Sequence, residues 1–395
     1  MIDIHSETTL APSIAAEGEL SKKWLKPETI FLTGATGLVG PHLLYALLRK
    51  TDALIYCLMR CENERAGKER LKNHLVFHEL WRDAFESRIV VVPGDLSQPL
   101  LGIPEPVFTR LAEQADTIYH NGATVNFMYP YSALKSPNVL GTQEVIRFAA
   151  RRRIKPIHLI STVAVFFTQK NFQKGIVTET DQPEYDESLK GGYKQSKWVA
   201  EQLVLSARDR GVPSSIYRPV RILGSSKTGI MDFKDTLCHL IKACIALGKY
   251  PRLETLIEYL PADYVGKAIV HLSLQENALN RIFHLRNPSP VSYRTFLNEI
   301  GLLGYGMDEV EYDPWINALE ELAAKEPQEP VYSFLRLFLK DSNNLLRQQM
   351  GFEDKNALAG LAGGKIICPP TDQKIISTYL TYFRKKGFIP ERPLL

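Results

Sequence analysis

The sequence predicts an α/β protein with a doubly wound parallel sheet, and two observations lead to that class. Six short apolar runs of strand length recur in the first 220 residues, and most are separated by segments with helical spacing, such as 139–150 and 193–208. A parallel crossover needs a connection long enough to hold a helix, so this alternation favours a parallel sheet covered on both faces. The six runs are 30–32, 54–58, 89–92, 117–119, 157–160 and 215–217.

We expect three regions along the chain. Residues 1–27 show no sustained period and are interpreted as a linker or arm outside the core. Residues 28–223, completed by about 262–288, are predicted to form the sheet domain. The segments 224–261 and 289–395 are mainly helical in pattern and predict a smaller C-terminal region that binds substrate at the carboxyl edge of the sheet, where open α/β sheets bind ligands.

Composition excludes several classes of protein. The 395 residues carry a formal net charge of +4, with 48 Lys and Arg against 44 Asp and Glu in mixed-sign segments, which does not point to nucleic acid. The N-terminus lacks the pattern of a signal peptide, and no stretch approaches the roughly 18 apolar residues of a membrane span. The five cysteines are scattered and lack zinc-ligand spacing. We therefore expect a soluble, cytoplasmic protein with free thiols and no metal site.

A glycine-rich turn follows the first predicted strand. Its spacing is Gly-x-x-Gly-x-x-Gly rather than the Gly-x-Gly-x-x-Gly of many dehydrogenases. Side chains at these glycines would obstruct the tight turn, the approach of a pyrophosphate, or the packing of the following helix, whose N-terminal amides bind phosphate. The turn predicts Rossmann-type dinucleotide binding by Thr33, Gly34, Thr36, Gly37, Leu38, Val39 and Gly40.

The end of the second strand indicates which dinucleotide is bound. Enzymes that use NAD place Asp or Glu there to accept the ribose hydroxyls, whereas a site for the 2′-phosphate places a cation. This chain has Arg60 at that position and Arg70 ten residues further on, so we predict NADP(H). The ends of the third and fourth strands are predicted to contact the adenine edge and the nicotinamide ribose through Asp95, Leu96, Asn121, Gly122 and Ala123.

A candidate catalytic pair opens a later helix. Tyr193 and Lys197 are four residues apart and share one helix face. A phenol titrates near 10, and a nearby ammonium favours its anion, so we expect Lys197 to lower the pKa of Tyr193 and to bind the nicotinamide ribose. Thr162, after the fifth strand, is predicted to donate a hydrogen bond to the substrate oxygen. Ser161 is the adjacent alternative, and Ser161, Tyr193 and Lys197 are also assigned to the cofactor site.

These stretches resemble the extended short-chain dehydrogenase/reductase superfamily. Within it, the chain is similar to the thioester reductase domains that terminate nonribosomal peptide synthetases, polyketide synthases and carboxylic acid reductases. The resemblance runs from about Leu10 to the C-terminus, and one departure is Val220, where the family often has Gly. The matching segments are 33–40, 119–126, 130–131, 138–142, 192–201, 216–219 and 283–288.

The resemblance implies a substrate and a reaction. It implies that NADPH reduces an acyl or peptidyl thioester on the phosphopantetheine arm of a carrier protein. Thr162 and Tyr193 would stabilise the oxyanion, and Tyr193 would deliver a proton. Loss of the thiol would release an aldehyde, which a second hydride would convert to an alcohol. The chain would be a free-standing reductase acting in trans or one domain of a longer protein.

Two alternatives remain at this point. One is another extended-family enzyme, either a fatty acyl-CoA reductase or a nucleotide-sugar epimerase or dehydratase. An epimerase should prefer an acidic residue where Arg60 stands. The other is a non-catalytic NADP-sensing protein, and such proteins commonly lose the tyrosine or the lysine that this chain retains.

Overall fold

The computed structural model describes residues 4–341 and 350–391. Residues 1–3, 342–349 and 392–395, which fall in the predicted arm and C-terminal region, lie outside the described residues. The chain divides into two compact units. Unit 1 comprises Met1–Val220, Val265–Leu285 and Phe352–Ile366; unit 2 comprises Arg221–Tyr264, Arg286–Gly351 and Ile367–Leu395.

Unit 1 contains a seven-stranded sheet. Its strands are β1 (Thr29–Thr33), β2 (Leu54–Met59), β3 (Ile89–Pro93), β4 (Thr117–His120), β5 (Ile157–Ile160), β6 (Ser214–Pro219) and β7 (Ile282–Leu285). All neighbouring pairs are parallel, in the order β7-β6-β5-β4-β1-β2-β3. The strand order reverses between β1 and β4, which places a ligand crevice at their carboxyl ends. The predicted doubly wound fold is therefore confirmed.

Helices of unit 1 connect its strands and cover the sheet. The helices in the described residues are α1 (Gly40–Lys50), α2 (Glu64–Phe77), α3 (Glu105–Gln114), α4 (Tyr131–Lys135), α5 (Gly141–Ala150), α6 (Gln169–Lys174), α7 (Gly192–Asp209), α8 (Thr236–Leu247), α9 (Ala262–Ser273), α10 (Tyr293–Ile300), α11 (Tyr312–Lys325), α12 (Pro330–Asp341), α13 (Lys355–Leu361) and α14 (Gln373–Lys385). None of the helices described here combines the length and apolarity needed to cross a bilayer.

The central strands are buried along almost their whole length because both faces of the sheet are covered. Ile30, Phe31 and Leu32 of β1 are fully buried, and the ring of Phe31 stacks on Phe148 of α5 with centroids 4.4 Å apart. Shorter strands lie outside this sheet, at Ile176–Val177, Arg221–Leu223, Lys249–Pro251, Leu256–Ile257, Tyr259–Pro261, Val291–Ser292, Asp308–Val310 and Gly351–Phe352.

The N-terminal segment packs in unit 1 rather than extending from it as an arm. Leu10 and Ile14 are buried, and the Arg210 guanidinium donates hydrogen bonds to the carbonyl oxygens of Leu10, Ala11 and Ile14. The expectation that residues 1–27 lie outside a core therefore does not hold for Leu10 and Ile14. Their partner is some 200 positions away in the chain, so no local periodicity marks the contact.

Residues 352–366 also differ from the expected division, because they belong to unit 1 and not to the C-terminal region. The buried carboxylate of Glu179 accepts hydrogen bonds from the backbone amides of Asn356 and Ala357 at the start of α13, and from His284 of β7. One acidic side chain thus joins α13 to the edge strand of the sheet.

Unit 2 has a separate apolar core and is mostly helical. Its largest fully buried side chain is Trp315 of α11, which packs in one cluster with Leu237 of α8, Phe296 of α10 and Phe383 of α14. The Trp315 indole donates a hydrogen bond of 3.1 Å to the carbonyl oxygen of Lys249, so its polar group is satisfied within the core.

Candidate active site

The glycine turn between β1 and α1 is closely packed at two of its three glycines. Gly34 has φ +75°, and a Cβ on it would lie 2.6 Å from the backbone nitrogen of Gly122. A Cβ on Gly40 would lie 2.1 Å from the carbonyl oxygen of Gly34. At Gly37, by contrast, the nearest neighbour among the described residues is that same oxygen at 3.7 Å. The turn is therefore closed toward the protein at Gly34 and Gly40, and open at Gly37.

The other turn residues are also exposed near Gly37 and buried near Gly40. Thr36 is exposed beside Gly37, Leu38 is half-buried, and Val39 is buried immediately before α1. No described side chain caps the N-terminus of α1, so the amides of its first turn are available to a phosphate, except at Pro41, which has no N–H. This open, amide-lined surface fits the pyrophosphate of a dinucleotide.

A buried hydrogen-bond chain joins β1 to β4 beneath the turn. The Thr33 hydroxyl lies 2.8 Å from Nδ1 of His120, whose Nε2 lies 3.0 Å from the hydroxyl of Thr142. The same Thr33 oxygen accepts a hydrogen bond from the amide of Gly122. Burial lowers the pKa of His120 to about 3, so the imidazole is neutral and structural.

The predicted residues after β4 lie against the glycine turn. The Asn121 side-chain amide donates a hydrogen bond of 2.9 Å to the carbonyl oxygen of Gly34. Gly122 is buried, and a Cβ on it would lie 2.6 Å from Leu96, while Ala123 is half-buried. The ends of β1, β3 and β4 are thus brought together, as the sequence predicted.

The structure also brings the two predicted arginines together. Nη2 of Arg70 on α2 donates a hydrogen bond of 2.6 Å to the carbonyl oxygen of Arg60, and both residues are exposed. Further along α2, the His74 side chain lies near the backbone of Thr36 in the glycine turn. Two exposed guanidinium groups therefore lie on the elements that flank the open turn.

Asp95 has a local partner in the turn after β3. Its Oδ1 accepts hydrogen bonds from the amide of Ser97 at 2.8 Å and from the Ser97 hydroxyl at 2.7 Å. These contacts fix the turn, and they leave the second carboxylate oxygen for other donors. Contact with an adenine edge stays a prediction for Asp95 and Leu96.

Lys197 is fixed to the sheet rather than to Tyr193. Its Nζ donates a hydrogen bond of 2.8 Å to the carbonyl oxygen of Ile160, the last residue of β5. Burial lowers the pKa of Lys197 to about 8, opposed in part by the nearby Glu201 carboxylate. Burial likewise raises the pKa of Tyr193 to about 12. The expectation that Lys197 lowers the pKa of Tyr193 is therefore wrong for this structure, because desolvation dominates at both groups.

Two hydroxyl groups follow β5, next to the carbonyl that binds Lys197. The Thr162 oxygen accepts a hydrogen bond of 3.2 Å from the amide of Ala164, which leaves its hydroxyl hydrogen free to be donated. Ser161 is 5% exposed, and its hydroxyl has no hydrogen-bond partner within the described chain. The Thr162 hydroxyl is therefore available to donate to a ligand at this edge, whereas the Ser161 oxygen is buried from solvent.

A buried ion pair behind α7 was not assigned a role by sequence reasoning. Glu201, one turn after Lys197, and Arg218 of β6 are both fully buried, with Nη2 and Oε2 2.6 Å apart. A buried charge is tolerated when it is paired and hydrogen-bonded. The available signal was the i, i+4 spacing that places Glu201 on the helix face of Tyr193 and Lys197.

This fold and site define an oxidoreductase that binds a nicotinamide dinucleotide, of the extended short-chain dehydrogenase/reductase class. Residues 32–269 match the family model described as male sterility protein. The chain is also 39% identical to the crystal structure of the terminal R domain from the myxalamid PKS-NRPS biosynthetic pathway, covering 99% of both chains with a TM-score of 0.91. The chain therefore belongs to the male sterility protein family and, within it, to the thioester reductase (R) domains.

Similar sequences occur inside much longer proteins. A linear gramicidin synthase protein of Brevibacillus parabrevis is 39% identical over 384 residues, which are 97% of this chain and 8% of that protein. The large subunit of L-2-aminoadipate reductase from Eremothecium gossypii is 31% identical, over 92% of this chain and 28% of that protein. The chain thus spans less than a third of either relative.

Proposed function

We propose that the protein uses NADPH to reduce an acyl or peptidyl thioester, carried on the phosphopantetheine arm of a carrier protein, and releases it as an aldehyde or, after a second reduction, as an alcohol. The observation that carries the proposal is the hydrogen bond between Lys197 and Ile160, because it fixes α7, with Tyr193, at the end of β5. Thr162 follows two residues after that carbonyl. The relatives, which include a linear gramicidin synthase and an R domain of a PKS-NRPS pathway, support a carrier-bound substrate.

The residues of the glycine turn fit the cofactor. Gly37 and the N-terminus of α1 would bind the pyrophosphate, and Arg60 with Arg70 would bind the 2′-phosphate as guanidinium partners. Asn121, Gly122, Ala123 and Ser161 would line the nicotinamide end. When bound, NADPH supplies the hydride.

The side chains at the end of β5 and on α7 account for the remaining chemistry. Thr162 would donate a hydrogen bond to the thioester oxygen as negative charge develops on it. Tyr193 would donate a proton to the same oxygen, and its raised pKa keeps the phenol protonated at neutral pH, as a proton donor requires. Lys197, charged below about pH 8, would bind the nicotinamide ribose. The collapse of the hemithioacetal would then expel the pantetheine thiol.

We also propose a cytoplasmic location. All five cysteines are free thiols, which is the state expected in a reducing compartment.

A panel of thioesters tests the function directly. Pantetheine thioesters and carrier-bound thioesters are incubated with NADPH, and the products are identified by mass spectrometry. We expect a released thiol and an aldehyde at one NADPH per product, or an alcohol at two. The matching oxygen esters serve as controls. Binding of NADPH without oxidation by any thioester would contradict the proposal.

A further inference from the structure

An exposed apolar segment lies directly after the fourth strand. Of the twelve large apolar side chains that are exposed in the described residues, four fall within five positions. Val125 is 60% exposed, Phe127 46%, Met128 59% and Tyr129 50%. Isolated exposed apolar side chains are ordinary, whereas a cluster marks a binding surface. We call residues 125–129 the apolar loop.

The apolar loop is held in place by polar groups within and before it. The side-chain oxygen of Asn126 accepts hydrogen bonds from the amides of Met128 at 2.9 Å and Tyr129 at 3.1 Å. The preceding residue, Thr124, donates its amide to the Asn138 side chain at 2.7 Å, and Asn138 in turn donates to the Ser196 hydroxyl on α7. The loop therefore presents its apolar side chains in a defined arrangement.

The apolar loop is also packed against the start of α7. A Cβ on Gly192 would lie 2.5 Å from the carbonyl oxygen of Tyr129 and 2.4 Å from the amide of Tyr131, so only glycine permits this approach. The ring of Phe127 meets the ring of Tyr193 edge-on, with centroids 5.4 Å apart. The exposed apolar surface thus begins at the phenol that is proposed to act on the thioester carbonyl.

We propose that the apolar loop binds the hydrocarbon chain of the acyl group and makes the enzyme select thioesters with an apolar acyl chain. This inference rests on the proposed function, which places the carbonyl at Tyr193 and therefore the acyl chain beside Phe127. The pantetheine arm is the poorer occupant, because its amides and hydroxyl need polar partners that Val125, Phe127 and Met128 do not offer. A hydrocarbon chain gains free energy by leaving water on the same surface.

The test compares octanoyl-pantetheine with acetyl-pantetheine. The dissociation constant of each thioester is measured by calorimetry with NADP⁺ present, so that binding is read without turnover, and kcat/KM is measured with NADPH. The variant is Val125→Ser with Met128→Ser. The matched control is Val76→Ser, since Val76 is 53% exposed at the end of α2, which packs on β3. Burial of each methylene changes affinity about fourfold.

We expect the wild type to bind octanoyl-pantetheine more tightly than acetyl-pantetheine. The dissociation constant for acetyl-pantetheine divided by that for octanoyl-pantetheine should fall about tenfold in the double variant. It should stay at the wild-type value in Val76→Ser. An unchanged ratio in the double variant overturns the inference, as does equal binding of both thioesters by the wild type. Absence of NADPH oxidation with a ratio that still depends on the apolar loop would refute the proposed function and leave this binding surface standing.

Discussion

The Lys197 ammonium donates a hydrogen bond of 2.8 Å to the main-chain carbonyl oxygen of Ile160, so a side chain of α7 is bound to the end of β5. The ammonium is thereby held at the carboxyl edge of the sheet whether or not Tyr193 is ionised. The glycine turn and Asn121 lie at the same edge. The proposed position of Tyr193, the proposed binding of the nicotinamide ribose by Lys197 and the pH behaviour of the enzyme depend on this contact.

Replacement of Tyr193 by Phe should remove the proton donor and leave the fold intact. We expect thioester-dependent NADPH oxidation to fall about 10²- to 10⁴-fold, the usual contribution of general acid catalysis. The affinity for NADPH, measured by fluorescence titration, should change less than about twofold, because the lost hydroxyl is not proposed to bind the nucleotide phosphates. Tyr45→Phe, at a half-buried tyrosine of α1, is the control. Wild-type turnover in Tyr193→Phe would rule out the mechanism.

Activity should decline as the pH rises through about 8. The pKa of Lys197 is lowered to about 8 by burial, so the ammonium is present below that pH and lost above it. The pKa of Tyr193 is raised to about 12, so the phenol remains protonated across the same range and adds no second transition. The dependence of kcat/KM on pH between 6 and 10 reports the groups of the free enzyme. A profile that stays flat to pH 10 would exclude a role for the Lys197 charge.

The same lysine predicts a change in stability. Its pKa is lower in the folded protein than the ordinary value of 10.5, so the unfolded chain binds more protons between about pH 8 and 10.5. This group should therefore make the free energy of unfolding increase with pH across that window. Urea denaturation of the wild type and of Lys197→Met measures the difference, and the variant should lack this contribution.

The double substitution Arg60→Ala with Arg70→Ala should weaken NADPH binding and spare NADH. Each charge-assisted hydrogen bond contributes about 1.5–3 kcal/mol, so the dissociation constant for NADPH should rise at least about tenfold. Arg65→Ala, an exposed arginine on α2, serves as the control for the loss of positive charge. Equal losses for NADPH and NADH would show that these arginines do not recognise the 2′-phosphate.

Alanine at two glycines of the turn should affect different properties: Gly40→Ala should lower stability, and Gly37→Ala should lower nucleotide affinity. At Gly40 the added Cβ would lie 2.1 Å from the Gly34 carbonyl oxygen, so the backbone must shift. The free energy of unfolding should therefore fall by about 1–3 kcal/mol. At Gly37 the Cβ has room, so thermal stability should be kept while nucleotide affinity falls, because the methyl group occupies the proposed pyrophosphate surface. Tight NADPH binding by a stable Gly37→Ala protein would contradict that placement.

Local patterns were enough to predict much of this protein. The alternation of apolar runs and helical segments indicated a parallel sheet, because the hydrophobic periodicity of strands and helices is visible within short stretches of sequence. The glycine spacing indicated the turn, and the four-residue interval placed Tyr193 and Lys197 on one helix face. In each case the physical constraint acts between residues that are close in the chain.

Contacts over long sequence distances, together with burial, settled the rest. The pairing of Glu201 with Arg218, the packing of Leu10 against Arg210 and the position of Phe127 over Tyr193 join segments whose patterns carry no mark of one another. Burial raises the pKa of Tyr193 and lowers the pKa of Lys197, and neither direction follows from the charges of neighbouring residues in the sequence. A group's desolvation depends on everything packed around it, and that environment exists only once the chain has folded.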